Sequence, residues 1–128
     1  MKNKGATISG VDRIRLEGMA FSGRHGYSDA ERARSQRFTV DIEVETSIER
    51  AGTSDLIADT VDYRKLRAIA KDVITGESAH LIEALAERIA NRALDVPGVK
   101  AVSVRVAKQP ASMRPIAAAA VQIRRARP

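Results

Sequence analysis

Phe38-Thr39-Val40-Asp41-Ile42-Glu43-Val44-Glu45 is the stretch on which the fold turns. Apolar and polar residues alternate without a break, and successive side chains of an extended chain point to opposite faces, so this segment is a strand with one buried and one wet side. That pattern belongs to an antiparallel sheet covered on one face. Working outward, Ile14 and Leu16 alternate with Arg13, Arg15 and Glu17, and Phe21 continues the strand. Downstream, Val102, Val104 and Val106 alternate with Ser103, Arg105 and Ala107, and Val121 and Ile123 repeat the period. The connection from Ser22 to Gln36 is too long for a tight hairpin, and connections of this length often carry function.

Between the second and third strands the period changes. Leu66, Ile69, Ala70, Val73 and Ile74 recur at helical spacing, with Asp62 as N-cap and Gly76 as the stop. A second helix is expected from near Ser78, with Ile82, Leu85, Ala86, Ile89 and Ala93 on one stripe and Pro97-Gly98 ending it. The order strand, strand, helix, helix, strand, strand predicts an α+β layer: a four-stranded antiparallel sheet with two antiparallel helices on one face. Such a sheet leaves two edges bare, so a closed homo-oligomer is the expected remedy.

With 128 residues and 13.9 kDa, the chain has material for one core. Residues 1–10 read as a flexible tail and 11–128 as the domain. The opening MKNKGATISG has no apolar run of signal-peptide or membrane-span length, which leads to the expectation of a cytoplasmic protein without membrane partners. Without cysteine there is neither a disulfide framework nor a thiolate metal site, and two scattered histidines do not make a histidine cluster, so no metal is expected. A formal charge of +6 invites a nucleic-acid reading, but two Phe, two Tyr and no Trp provide little for bases to stack on. Nucleic acid is therefore not an expected partner.

Chemistry concentrates in separated segments. His25-Gly26-Tyr27-Ser28-Asp29-Ala30-Glu31 places carboxylates on the long loop, where Glu31 reads either as a solvated charge or as a functional one, and His25 beside Gly26 reads as a turn residue. Thr60-Val61-Asp62-Tyr63 leads into the first helix, with Tyr63 either a core tyrosine at the end of the stripe or a functional phenol. In Leu81-Ile82-Glu83-Ala84-Leu85-Ala86-Glu87, Glu83 falls beside the apolar stripe. Val104-Arg105-Val106-Ala107-Lys108-Gln109-Pro110 sets Lys108 where a strand leaves the sheet, as an edge-protecting charge or as a proton carrier.

Taken together, HGYSDAE, TVDY, LIEALAERIA and VRVAKQP resemble, in order and from about Val11 to Arg125, the motifs of the dihydroneopterin aldolase family. The resemblance implies a tunnelling fold, with sheets of neighbouring subunits joined into a barrel, tetrameric rings stacked as an octamer, and sites between subunits. It implies retro-aldol cleavage of 7,8-dihydroneopterin by a lyase needing no cofactor, metal or Schiff base. Glu83 would hold the pterin with main-chain help around Ile82, and Val61 and Asp62 would lie near the ring. Lys108 and Tyr63 would move protons, and Glu31 would hold the side-chain hydroxyls or their water. Epimerisation of the same side chain, acting on the triphosphate in a related subfamily, and a non-catalytic pterin-binding paralogue are the alternatives. Ser35 and Ala117–Ala120 depart from positions that are often glycine in the family, which raises the question of the last loop's path.

Overall fold

A computed structural model describes residues 4–6, 8 and 12–128, Ala111 by its backbone only. Most of the expected 1–10 tail, and the expected domain start at Val11, lie outside the described residues. Strands β1 (Arg13–Gly23), β2 (Gln36–Glu45), β3 (Ala101–Lys108) and β4 (Ala119–Ala126) form one antiparallel sheet in the order β1-β2-β3-β4. Two 13-residue helices, α3 (Tyr63–Thr75) and α4 (Ile82–Leu94), follow the short α1 (Asp29–Arg32) and α2 (Glu49–Ser54). Among the described residues no helix is long and apolar enough to cross a membrane.

The alternation that decided the sequence reading also defines the core. Phe38, Val40, Ile42 and Val44 are buried together with Val102, Val104 and Val106, under the stripes Leu66, Ile69, Ala70, Val73, Ile74 and Ile82, Leu85, Ala86, Ile89 of the two helices. The opposite face is an ion-pair lattice: Glu43 meets Arg15 at 2.6 Å, Asp41 meets Arg105 at 3.5 Å, and Arg124 forks onto Glu45 at 2.8 and 2.9 Å across β3. Apolar and charged residues thus part cleanly between the faces, as a sheet covered on one side requires.

Three features differ from the sequence reading. The second helix starts at Ile82, not near Ser78: Ser78 Oγ donates to the Arg24 carbonyl and the Ala79 N–H to His25 Nδ1 at 3.0 Å, which draws this segment out of helical hydrogen bonding. The long loop contains α1, whose N-cap Ser28 and Glu31 satisfy each other's backbone N–H groups in a capping box. The segment between β2 and α3 folds into α2 and a 3-10 turn at Ile57–Asp59, pinned by Arg50 to Asp59 at 3.1 Å, which no apolar period announced. The alanine run needs no unusual backbone: among the described residues the non-glycine positive φ is at Asp55, and Ala119 and Ala120 pair with Lys108 and Ala107.

One glycine keeps β1 in phase. Ile14 and Leu16 point to the core, as do Met19 and Phe21, yet these pairs are out of step by one residue. The register shifts between Leu16 and Met19, where Gly18 takes φ 68 and its N–H donates to Asp41 Oδ1 at 2.6 Å. This bulge restores the inward face in the second half of the strand. Gly18→Ala should therefore cost about 1 kcal/mol of unfolding free energy, the usual penalty for a Cβ in the left-handed region. Urea denaturation with unchanged stability would show that this backbone angle does not hold the register.

Candidate functional site

Lys108 is the last residue of β3 and pairs in register with Phe38, so both side chains emerge on the helix-covered face at the same end of the sheet. Its Nζ lies 3.5 Å from Glu31 Oε2. Glu31 is brought there by the capping box of α1, in which Ser28 N–H and Oγ both approach Glu31 Oε1 at 3.3 Å. The Ser28 N–H, then Lys108, holds the Glu31 carboxyl below its usual range, so near neutral pH it is an acceptor and not an acid. Gln36 Nε2 donates to the carbonyls of both His25 and Glu31, tying the loop to the first residue of β2.

His25 locks the whole end of the molecule. The ring is 1% exposed and packs edge-on against Phe38, with centroids 5.1 Å apart. Since the Ala79 N–H donates to Nδ1, the proton sits on Nε2, which donates to the Ile74 carbonyl at 2.7 Å. Gly26 N–H adds a bond to the Ala79 carbonyl at 3.0 Å. The loop bearing Glu31, the C-terminal end of α3 and the lead into α4 are thereby joined, and α4 opens with Ile82 and Glu83 at this same end. A Cβ on Gly26 would collide with the Glu31 side chain, so glycine is what lets the loop lie this close.

The sequence-predicted residues fall into two groups. Glu31, Lys108, Ile82 and Glu83 belong to the His25 end, with Glu83 exposed and Ile82 buried. Val61, Asp62 and Tyr63 belong to the other. Val61 is buried close to Gly98, whose carbonyl accepts from Thr46 Oγ1 beyond the far end of β2. Asp62 caps α3 through the Arg64 N–H and grips the Arg64 guanidinium, which keeps its carboxyl ionised. Tyr63 starts α3 while Ile74, which meets His25, nearly ends it, and at 1.5 Å per residue these ends stand roughly 16 Å apart. Tyr63 is 54% exposed and is not a core tyrosine; Leu56 and Ile57 close to it in sequence are 60% exposed.

Beyond Lys108 opens a cleft of ≈ 500 Å³ lined by Arg34, Arg37, Thr39, Lys108, Gln109 and neighbouring small residues, among them Ser35 and Ala117. Among the described residues no group of three His, Asp or Glu side chains gathers as a metal site would require. Sequence reasoning missed the importance of His25, which read as a turn residue. Its signal was only the adjacency of a histidine to Gly23 and Gly26, because its partners at Ile74 and Ala79 lie about fifty positions away.

The sequence model described as FolB: Dihydroneopterin aldolase matches residues 14–124. A dihydroneopterin aldolase of Bacillus subtilis is 40% identical over 84 residues, 66% of this chain and 70% of that one. Dihydroneopterin aldolase 1 of Arabidopsis thaliana is 37% identical over 98 residues, 76% and 67% of the two chains. The E. coli dihydroneopterin aldolase, solved in complex with neopterin, superposes with a TM-score of 0.84 at 25% identity over 90% of this chain and 99% of that one.

Burial is the main force holding the His25 proton off, and it lowers the ring's pKa. The unfolded chain, with an ordinary histidine value of about 6.5, then binds more protons than the folded one below that pH. The stability owed to neutral His25 should be complete above about pH 6.5 and decline as pH falls toward the depressed folded value. Melting temperatures between pH 7.5 and 5 should show a steeper fall for the native chain than for His25→Gln; parallel curves would separate His25 from acid sensitivity.

Proposed function

The chain belongs to the dihydroneopterin aldolase family, and from that membership we propose how its residues divide the work of cleaving 7,8-dihydroneopterin into 6-hydroxymethyl-7,8-dihydropterin and glycolaldehyde. It is a lyase. The observation that carries the residue assignment is the pairing of Lys108 with an ionised Glu31 at the end of the sheet where α4 presents Glu83.

Glu83 accepts the amino and ring N–H groups of the pterin, a planar pair that a carboxylate matches as it matches a guanidinium, while main-chain groups around Ile82 complete the grip. Glu31 orients the side-chain hydroxyls or the water among them. Lys108, through that water, takes the proton from the hydroxyl on the second side-chain carbon. That carbon becomes the aldehyde as its bond to the first carbon breaks, and the electron pair passes into the ring imine. The resulting enol is protonated at the first side-chain carbon with the help of Tyr63. Because the substrate's own imine receives the electrons, neither a Schiff-base lysine nor a metal has an electron-accepting task left to perform.

Tyr63, Val61 and Asp62 act from a second copy of the chain. Three features support this: the roughly 16 Å of helix between Tyr63 and the His25 end, the bare edges β1 and β4, and the exposed Leu56, Ile57 and Tyr63. Edge pairing between subunits would close the sheets into a barrel ring, and stacking of two such rings would give the octamer. A head-to-tail contact of this kind brings one subunit's 61–63 segment to the next subunit's Lys108.

Purified protein incubated with 7,8-dihydroneopterin and a chelator should release glycolaldehyde; its absence would reject the aldolase assignment. Lys108→Ala should lower kcat by about 100-fold or more, the scale of a lost acid-base group, while the assembly keeps its size on gel filtration. Glu83→Ala should weaken pterin binding most among the site variants, and an unaltered affinity would remove its anchoring role. Reassembling inactive Lys108→Ala and Tyr63→Phe chains in equal amounts should restore roughly a quarter of native activity, because a head-to-tail contact regenerates some intact sites. Two variants that stay silent when mixed would place both residues in one subunit's site.

A further inference from the structure

Two parts of the proposed site ride on different elements. The Glu31–Lys108 pair belongs to the long loop and β3, whereas Glu83 lies in the first turn of α4. Among the described residues no hydrogen bond or ion pair joins Glu83 to either of them. α4 does not fix its own start, because its N-cap Leu81 offers no side-chain bond to the free N–H groups of the first turn. The place of Glu83 is therefore set from outside the helix, by whatever holds the segment that leads into it.

We propose that His25 is a positioning residue for the aldol cleavage: its Nδ1 holds the lead into α4, and so Glu83, at a fixed offset from Glu31 and Lys108. The inference rests on the aldolase reading, which puts the pterin on Glu83 and the proton transfer at Lys108. Both arms of the site attach to this one residue. On one side, Gln36 Nε2 donates to the His25 carbonyl at 2.9 Å and to the Glu31 carbonyl at 3.0 Å, which ties in the loop. On the other, the Ala79 N–H donates to Nδ1 at 3.0 Å, shortly before Glu83 in the chain. The Gly26 N–H on the Ala79 carbonyl and the Ser78 hydroxyl on the Arg24 carbonyl flank that contact, and Arg88 of α4 donates back to the Glu77 carbonyl at 3.1 Å. Phe38, the register partner of Lys108, meets the imidazole edge-on at 5.1 Å, so the ring is also seated on the sheet at the level of the lysine.

The consequence is kinetic. A pterin held by Glu83 travels with α4, so loss of the Ala79 bond leaves that contact in place and moves the scissile bond away from Lys108. A misplacement of about 1 Å at the reacting atoms costs on the order of 100-fold in rate. Such a loss falls on kcat and spares KM, since the contacts made in the ground state persist. The two ring nitrogens have different duties: Nδ1 serves the lead into α4, and Nε2 serves the end of α3 at Ile74. Amide side chains separate them. An asparagine oxygen stands at the Nδ1 distance from the backbone and accepts, whereas a glutamine nitrogen stands at the Nε2 distance and donates.

The test is to measure kcat and KM for 7,8-dihydroneopterin in the native chain, His25→Gln, His25→Asn and Ser78→Ala, at a temperature where circular dichroism shows each one folded. His25→Gln should lower kcat by about tenfold or more with KM changed by less than about threefold, and His25→Asn should recover kcat to within about threefold of native, although both lose thermal stability. Equal kcat in the two variants, or a loss carried wholly by KM, overturns the proposal and leaves the aldolase intact. Ser78→Ala removes an exposed tie between the same two segments and orphans no buried group. It should lower kcat by roughly twofold to fivefold, a smaller displacement of the same kind. If neither His25 variant folds, Ser78→Ala decides: a reduced kcat with native KM supports the proposal, and native kcat overturns it. Absence of glycolaldehyde from the native chain would reject the aldolase reading and this proposal with it.

Discussion

A single neutral imidazole holds one end of this molecule together, the end to which the proposed chemistry is assigned. His25 accepts from one backbone group and donates to another, at Ala79 and Ile74, across a separation of about fifty residues in the chain. Both bonds are buried, where an unmet backbone group costs about 1–3 kcal/mol, so neither partner can drift without penalty. Everything that positions the proposed chemistry is attached to this clamp. The loop that delivers Glu31 begins at it, α4 starts three residues after Ala79, and Phe38, the register partner of Lys108, forms its floor. The ring must stay uncharged to do this, because protonated Nδ1 would face the Ala79 N–H donor to donor.

The fold was legible in the sequence wherever burial imposes a period. The Phe38–Val44 alternation, the two helical stripes and the valines of β3 could be read directly, since a one-residue slip would turn a whole apolar face to water. Elements without a buried face were not legible. Neither α1 nor α2 has a buried residue; α1 is organised by its capping box and the Arg32–Asp29 pair, and α2 is tied down by the Arg50–Asp59 pair. The start of α4 was placed near Ser78, whereas the Ser78 hydroxyl serves the Arg24 carbonyl in a distant loop and the helix begins at Ile82.

The proposed site was read from resemblance alone, and the geometry of one chain divides its candidate residues between two ends. Glu31 and Lys108 meet directly, and Glu83 follows on α4, while Val61, Asp62 and Tyr63 gather at the other end of α3. Motif order carries no information about which residues of a chain share a cavity and which serve a neighbour. Side-chain exposure does: Tyr63, read as a candidate core residue from its place on the stripe, stands in solvent.

The ion-pair lattice on the open face of the sheet has an electrostatic consequence that reaches past the contacts themselves. A cation with a carboxylate at 2.6 to 3.5 Å acts at a distance as a dipole, whose potential dies away faster than that of a lone charge. Most of the arginines therefore contribute little to what an approaching anion feels in the solvent. The long-range attraction of a chain with a formal charge of +6 comes instead from its unmatched cations, Arg34 and Arg37 among them, and this gives the potential a direction as well as a sign.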